Sequence, residues 1–414
     1  MSWPEASPGC SGGRYPSAPG SSDPRLLGVH KFRPVGHTSG MTTYQAGSAR
    51  DRVSSLARAG LPWTEFGEQA LEVLTKAVPF DSACFGTIDP TTTLVTGSVK
   101  AGLPEPCEAE FARHEYIEDD VSLFADLARR SVDVSVLHEE TGGDPRRSSR
   151  FRELFEPTFG LGHEMRVMLR TGGAVWGALA IYRRAGASGF SPAEADFLGG
   201  LSGQLALGIR AGLIADALPG HEIADTESGP AVLTFDHDNA LSQATLAAQV
   251  RVDELGGSMW GELPQSVLAT VSATRALIAG RTGTVPRMRV RSRTGEWLAV
   301  HGAPLAGRDG CPSQIVVTIE RAGAPEVVPL VVAAFGLTPR ERDVVDGVLR
   351  GATTAEIAKG LHLSPYTVQD HLKTVFDKAG VSSRRELTAR VYFDHYAPRK
   401  DCRLGPSGWF VQDA

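Results

Sequence analysis

Polar residues at helical spacing near residue 370 have the clearest chemical potential in this sequence. The candidates for contact with DNA are Ser364, Thr367, Gln369, Asp370, His371, Lys373 and Thr374. A glutamine side chain can pair with adenine, and a lysine can donate to guanine or pair with a phosphate. Asp370 has two interpretations, since it could accept a hydrogen bond from cytosine N4 or simply lean out to solvent. The chemistry that these side chains offer is hydrogen bonding to a duplex.

Four short helices are predicted to position these side chains. Each has its own start signal in the sequence: Thr338-Pro339 with Glu341, Thr353 with Glu356, Ser364-Pro365, and Ser383 with Glu386. Threonine or serine followed by glutamate three residues later forms a capping box, and proline is favoured at the first helical position. Glycines at 351 and 380 are predicted to end the first and third helices.

The short link from Leu361 to Ser364 is typical of the turn in a helix-turn-helix unit. In such a unit the second helix enters the major groove by its N-terminal half, and a helix N-terminus also favours a phosphate oxygen. The alternative is a four-helix bundle whose polar face is merely solvated. Three capping boxes and the turn would then coincide without a function.

The segment closely resembles the LuxR-type helix-turn-helix of bacterial transcription factors. The matching residues are Leu337-Thr338-Pro339-Arg340-Glu341-Arg342, Glu356-Ile357-Ala358, Leu363-Ser364, Thr367-Val368 with His371, and Gly380-Val381. The resemblance implies an all-α DNA-binding domain over 333–396 that binds double-stranded DNA as a homodimer, with RNA polymerase as a further partner. By position, Gln369, Asp370 and Lys373 fall where the family touches DNA. Asp370 departs from the apolar or basic residue that family members often have.

Composition limits the remaining functions. The chain has 414 residues and a net charge of -6, which argues against broad coating of nucleic acid. Nine basic and eight acidic residues within 337–396 leave that unit near +1, so its affinity should depend on dimerisation and specific contacts. The five scattered cysteines suit a reducing cytosol. The longest uncharged apolar runs, 197–209 and 327–339, are too short to span a bilayer, so a cytoplasmic protein without a membrane partner is expected.

The two ends of the sequence are predicted to lack packed structure. The first 24 residues contain five Pro, four Gly and six Ser, a composition that favours disorder. We expect disorder over 1–50, and Met41 is a second candidate for the natural start of the chain. The tail at 397–414 has no apolar periodicity and is expected to be flexible.

An α+β domain is predicted over 51–215. A helix over Phe66 to Val78 precedes a strand from Ala83 to Ile88. Two further apolar runs flank the turn 171–173 and indicate a hairpin. Ser191, Pro192 and Glu194 then predict a long helix that continues to Leu213. The order of these elements resembles a GAF sensory domain.

A second α+β domain is predicted over 225–322. A strand from Ala231 to Asp236 leads into a turn, and residues 241–255 are expected to be helical. A hairpin across Thr294-Gly295 and a strand from Gln314 to Glu320 complete the pattern. This order resembles a PAS domain.

Four aromatic residues are candidates for a ligand pocket in the first domain, or else for its hydrophobic core: Phe151, Phe155, Phe159 and Trp176. The other polar clusters favour structural roles. Asp236, His237 and Asp238 are more typical of a turn than of a metal site, and Cys84 of a buried thiol than of a reactive one. The acidic run at 115–120 is predicted to be a solvated face. No motif for catalysis, a metal or a cofactor is recognised.

The fold class predicted is therefore multidomain, with two α+β sensory domains followed by an all-α four-helix helix-turn-helix domain. The predicted function is sequence-specific DNA binding and transcriptional regulation, governed by a small molecule or a protein signal. Two alternatives remain at this point. One is an enzyme with an appended DNA-binding unit, and the other is an interaction adaptor that has lost DNA binding.

Overall fold

The computed structural model describes residues 42–103, 108–214, 230–306, 312–396, 403–404 and 410–411. Most of the predicted N-terminal disorder lies outside these residues. The prediction was wrong for 43–50, which form the start of helix α1, Thr43–Leu56. Thr42 and Gln45 make a capping box there, and Ala49 and Val53 are buried. A helix with a cap and a buried apolar side is stable where turn-forming composition alone would predict disorder.

The first α+β domain contains five strands and eight helices among the described residues. They are α1 (Thr43–Leu56), α2 (Trp63–Ala77), β1 (Ser82–Ile88), β2 (Val95–Ala101), α3 (Glu108–Tyr116), α4 (Phe124–Arg129), β3 (Val134–Val136), α5 (Leu137–Glu140), α6 (Glu156–Phe159), β4 (Leu161–Thr171), β5 (Ala174–Arg184), α7 (Pro192–Gly199) and α8 (Ser202–Ile214). A single π-helical turn at Phe151–Phe155 precedes α6.

These strands form one antiparallel sheet in the order β2-β1-β5-β4-β3. One face of the sheet packs against α2 and α8 through an apolar core that includes Phe66, Met165, Leu179 and Leu205. The predicted hairpin of β4 and β5 lies at its centre and is confirmed. The opposite face carries the loops and short helices between β2 and β4.

The single long helix predicted after Ser191 is two helices, α7 and α8. The Ser191 and Glu194 capping box is present, but adjacent glycines at 199 and 200 precede a break. Ser202 then begins α8 by donating to the carbonyl of Met168 at 2.8 Å. This hydrogen bond fixes the start of α8 on β4.

The second α+β domain repeats the same strand order. Its elements are β6 (Ala231–Phe235), β7 (Leu241–Ala244), α9 (Leu246–Glu254), α10 (Gln265–Ile278), β8 (Arg287–Arg291), β9 (Trp297–Ala306) and β10 (Pro312–Arg321), and its antiparallel sheet runs β7-β6-β10-β9-β8. The predicted helix over 241–255 was wrong in its first residues. Asp236 accepts from the amides of Asp238 at 2.9 Å and Ala240 at 3.0 Å. The resulting turn folds β7 back onto β6.

Among the described residues, five helices follow the second sheet: α11 (Ala324–Ala334), α12 (Pro339–Leu349), α13 (Thr354–Leu361), α14 (Pro365–Ala379) and α15 (Arg384–Tyr396). The predicted starts of α12 and α13 are confirmed by their capping boxes. The link between the second sheet and α12 is itself helical, and α11 packs against α8 and α15.

One arginine joins the two α+β domains to α11. Arg289 on β8 binds both carboxylate oxygens of Asp89, at 2.9 and 2.8 Å. Its Nη1 also donates to the carbonyl of Glu326 at 3.1 Å. Asp89 follows β1 and is buried, so the pair lies inside the contact between the domains.

Part of the tail differs from the flexible segment that the sequence predicts. Arg403–Leu404 and Phe410–Val411 pair as two short antiparallel strands, and the sequence between them at 405–408 consists of turn-forming residues.

Among the described residues no single helix is long and apolar enough to cross a membrane, although α7 and α8, bent by 40°, together satisfy that length and composition.

Candidate nucleic-acid interface

Helix α14 carries the residues that the sequence predicts to contact DNA, and its first turn is held by Ser364. The Ser364 hydroxyl accepts from the amide of Thr367 at 3.1 Å, and Pro365 occupies the first helical position. Gly380 ends the helix in the left-handed conformation, with φ of 66°. Both ends of α14 are therefore fixed by local signals.

The turn before α14 sets its angle to α13. His362 adopts a left-handed conformation with φ of 55°, which is uncommon outside glycine but tolerated by histidine. The next amide, that of Leu363, donates to the carbonyl of Ala358 at 2.9 Å. On the other side of α14, Val368, Leu372 and Val375 are buried. The helix is thus held on its inner face by packing and at its start by the turn.

The outward face of α14 gathers most of the predicted DNA-contact residues. Gln369, Asp370, Lys373 and Thr374 are exposed in the full-length structure, so the other domains leave these side chains open to solvent. Thr374 Oγ1 donates to the carbonyl of Asp370 at 3.2 Å. The long side chains of Gln369 and Lys373 extend from this face and can reach base edges or phosphates.

Three predicted contact residues lie at the edge of this face. The hydroxyls of Ser364 and Thr367 are 2.8 Å apart and are engaged in the helix cap. His371 is half-buried. A further residue, Tyr366, was missed by the sequence analysis although its large side chain is exposed. Its spacing of three, four and seven residues from Gln369, Asp370 and Lys373 was the available signal.

An ion pair outside α14 fixes this helix to α12. Lys378 Nζ lies 2.6 Å from Glu341 Oε2, and Glu341 also accepts from the amide of Thr338 at 2.7 Å. Burial alone would raise the pKa of Glu341, but the hydrogen bonds from Lys378 and Thr338 hold it below its ordinary value. The ionised Glu341 carboxylate therefore caps α12 and forms an ion pair between α12 and α14.

Comparisons with known proteins agree with this geometry. The family of bacterial regulatory proteins named luxR matches residues 336–391. A putative HTH-type transcriptional regulator of Mycobacterium tuberculosis (strain ATCC 25618 / H37Rv) is 53% identical over 51 residues, which are 12% of this chain and 6% of the relative. The spore germination protein GerE of Bacillus subtilis (strain 168) is 36% identical over 55 residues, 13% of this chain and 74% of GerE. The chain belongs to the LuxR family of bacterial regulatory proteins.

The matches between this LuxR-family chain and the two relatives are short, 51 and 55 residues long. The chain spans 6% of the length of the mycobacterial relative. A Vibrio cholerae VqmA–ligand–DNA complex has a TM-score of 0.21 at 19% identity, over 40% of this chain and 81% of that one. A phycoerythrobilin-bound GAF domain from a cyanobacterial phytochrome has a TM-score of 0.31 at 14% identity, over 41% and 97%. Likeness at these TM-scores assigns no ligand to this chain.

In the first domain, three of the four aromatic candidates lie together. The ring centroids of Phe151 and Phe155 are 5.3 Å apart, and those of Phe155 and Phe159 are 6.0 Å apart. Tyr182 on β5 joins them at 4.9 Å from Phe155. Trp176 lies instead in the core on the other face of the sheet. The register of β4 and β5 shifts at this point of the ladder, and such a bulge re-aims a side chain.

The same sheet face holds five buried ionisable residues, here termed the buried charge cluster: Glu115, Asp120, Arg150, Glu164 and Arg166. Arg166 lies 2.8 Å from Glu115 and 3.0 Å from Glu164. Arg150 lies 3.0 Å from Asp120 and also bonds to Glu164. The prediction of a solvated acidic face was wrong for Glu115 and Asp120, because their arginine partners lie far away in the sequence.

The electrostatics of the cluster differ from one carboxylate to the next. Burial raises the pKa of Glu115, and the nearby Arg166 offsets this effect only in part. Burial would also raise the pKa of Glu164, but Arg150 and Arg166 together hold it below its ordinary value. Glu164 therefore stays ionised between two arginines, and Glu115 is the cluster member that takes up a proton most readily.

Proposed function

We propose that this chain is a sequence-specific DNA-binding transcriptional regulator. The observation that carries the proposal is the outward face of α14, where Gln369, Asp370 and Lys373 stay exposed on a helix fixed by its cap, its turn and its buried side. Membership of the LuxR family supports the same function. The proposed partner is double-stranded DNA, and the proposed location is therefore the cytoplasm. RNA polymerase is a further proposed partner because a regulator must change its activity at a promoter.

Selection of bound duplexes from a random pool tests this proposal directly. The full-length chain should enrich one sequence, and gel shifts should show binding that weakens steeply as salt rises, since phosphate contacts release counterions. A matched chain with Arg152→Ala, altered at an exposed position of the first domain, should bind equally well. Failure of the full chain to retain any duplex at low salt would refute the proposed function.

We propose that the active form is a homodimer on an inverted repeat. Helix α15 is short for an isolated helix. Because its buried Leu387 and Val391 serve the unit's own core, its opposite face is left for contact with a second copy. Half-sites should lie about one helical turn, ~10 base pairs, apart. Inserting about five base pairs would rotate one half-site by half a turn. Equal affinity for the altered operator would indicate a monomer.

We propose three domains: a GAF-like domain over 43–215, a PAS-like domain over 225–322 and the DNA-binding domain over 333–396. The first boundary is moved from 51 to include α1. The shared strand order of the two sheets supports related sensory folds. The mycobacterial relative is a putative transcriptional regulator, and we propose sensing for these two domains on the strength of the proposed DNA-binding function.

We further propose that the first domain responds to a small amphipathic molecule. Phe151, Phe155 and Phe159 form an apolar group beside the buried charge cluster, with the first two rings buried, and ligand sites are mostly apolar with a few polar groups. Among the described residues, Arg150 Nε and Arg166 Nη2 are buried without a hydrogen-bond partner. The proposed ligand therefore has an apolar body and an acceptor oxygen.

Thermal shift of the full chain against a metabolite panel and cell extract tests the sensor proposal. A ligand that binds the folded state must raise the melting temperature. Phe155→Leu should abolish the shift, whereas Trp176→Phe, on the opposite face of the sheet, should keep it once both variants are shown to fold. If nothing shifts the wild-type chain, a protein partner becomes the better candidate for the signal.

A further inference from the structure

Tyr366 is a large aromatic side chain held in solvent at the start of α14. It is 72% exposed, although it is the second residue of a helix whose inner side is fully packed. Exposing an aromatic ring forfeits the stabilisation that its burial would give the fold. The fold gains little from this ring, and the ring is available for a contact outside the chain.

The position of Tyr366 on α14 points it away from the protein. Successive residues of a helix turn by about 100°, so the nine residues to Val375 place the two about 180° apart. Val375 is fully buried. Tyr366 therefore projects from the centre of the outward face, one turn before Asp370 and in line with Lys373. In a groove-bound recognition helix the N-terminal turn approaches the base edges most closely.

We propose that Tyr366 is a specificity residue whose ring packs against the methyl group of a thymine in the major groove. The proposal rests on the DNA-binding function. Within α14, all of which the structure describes, Tyr366 is the exposed aromatic residue, whereas Phe376 is half-buried. The thymine methyl is the apolar feature that the major groove offers. The neighbouring hydroxyls of Ser364 and Thr367 are engaged in the helix cap, so this apolar contact complements the polar readout by Gln369 and Lys373.

Replacing single thymines by deoxyuridine tests the proposal, because deoxyuridine lacks only the methyl group. With the operator selected by the full-length wild-type chain, one substitution should weaken wild-type binding about fourfold, as expected for one methylene-sized apolar contact. Tyr366→Ala should bind the normal operator more weakly and show no difference between the two duplexes. Tyr366→Phe should retain the wild-type discrimination, because it keeps the ring.

The control variant is Tyr44→Ala, which removes a tyrosine that is 84% exposed on α1 and should leave the deoxyuridine effect intact. Melting curves should match the wild type for all variants, since these side chains are exposed. The proposal is overturned if Tyr366→Ala keeps the methyl discrimination or the full affinity. It is equally overturned if Tyr366→Phe and Tyr366→Ala weaken every duplex alike, which would indicate a phosphate contact through the hydroxyl. Loss of DNA binding by the wild-type chain itself would instead refute the proposed function.

Discussion

The outward face of α14 and the buried charge cluster use similar polar side chains in opposite ways. In α14, Gln369, Asp370 and Lys373 stand in solvent, and no ion pair joins them to other described residues. In the first domain, Arg150, Arg166 and their carboxylate partners are enclosed and pair with one another. The first arrangement leaves hydrogen-bonding capacity for an external partner, and the second uses that capacity within the fold.

This difference determines what a substitution should disturb. An exposed polar side chain contributes little to stability, because water replaces its contacts. A buried charge that loses its partner is left with the full cost of its desolvation. Changes in the buried charge cluster should therefore appear in unfolding experiments, whereas changes on α14 should appear in DNA binding with stability preserved.

Arg166→Ala should cause the largest effect. It leaves Glu115 without its arginine and Glu164 with one arginine fewer. Loss of one partner from a buried pair costs about 3–5 kcal/mol, and the free energy of unfolding from urea titrations of the full chain measures it. Arg152→Ala, which breaks an exposed pair with Glu153, should change stability by less than about 0.5 kcal/mol. An equal loss of unfolding free energy in the two variants would contradict the proposed difference between buried and exposed charges.

Arg289→Ala should destabilise the contact between the two α+β domains by about 2–3 kcal/mol, because it leaves the buried Asp89 carboxylate unpaired. Calorimetry should then resolve separate melting transitions. The matched control is Arg281→Ala, since Arg281 also bridges the domains but pairs with the exposed Asp119. That variant should melt like the wild type, and a single unchanged transition in Arg289→Ala would show that the domains are coupled by apolar packing instead.

Lys373→Ala should leave the free energy of unfolding unchanged and weaken DNA binding. If Lys373 meets a phosphate, the slope of log affinity against log salt should fall by roughly one unit. If it reads guanine, discrimination at one base pair should drop by about 1–3 kcal/mol. Titrations of selected and single-base variant operators at several salt concentrations separate these outcomes. Unchanged affinity would mean that the groove-facing surface lies elsewhere.

Glu341→Gln should have the smallest effect, about 1 kcal/mol, through the loss of one charge-assisted tie to Lys378. The pKa of Glu341 is lowered from 4.5 in the folded state. Its contribution is therefore complete above pH 4.5 and is lost as the pH falls through the lowered folded value. Acid titration of stability should be less steep in the variant below pH 4.5. Asp343→Asn, at an exposed site on the same helix, should keep the wild-type slope.

The helix-turn-helix could be predicted from sequence because its signals are local. Capping residues such as Thr338 and Glu341 lie within one turn of each other, and Val368, Leu372 and Val375 repeat at helical spacing. The same helical spacing also predicts which polar residues lie on the outward face of α14. Tyr366 could not be inferred in the same way, because its ring is apolar and the predicted contact residues are all polar.

The candidate site of the first domain was less predictable because long-range pairing creates it. Glu115 and Arg166 lie 51 residues apart in sequence and meet only when α3 packs over β4. The placement of Trp176 depends on a register shift between β4 and β5, and strand alternation alone predicts the opposite face. Neither the long-range ion pair nor the register shift produces a periodic pattern in the sequence.

The carboxylates on α14 have a consequence for how the protein would find its target in a genome. Asp370 and Asp377 are exposed on the helix proposed to approach DNA, and both would repel the phosphates of any duplex that offers no compensating base contact. A genome presents about 10⁶–10⁹ competing non-specific sites. A strongly basic DNA-binding domain would be bound mostly at those sites. Weak attraction to random sequence should leave more molecules free, so that a low copy number suffices to occupy the operator.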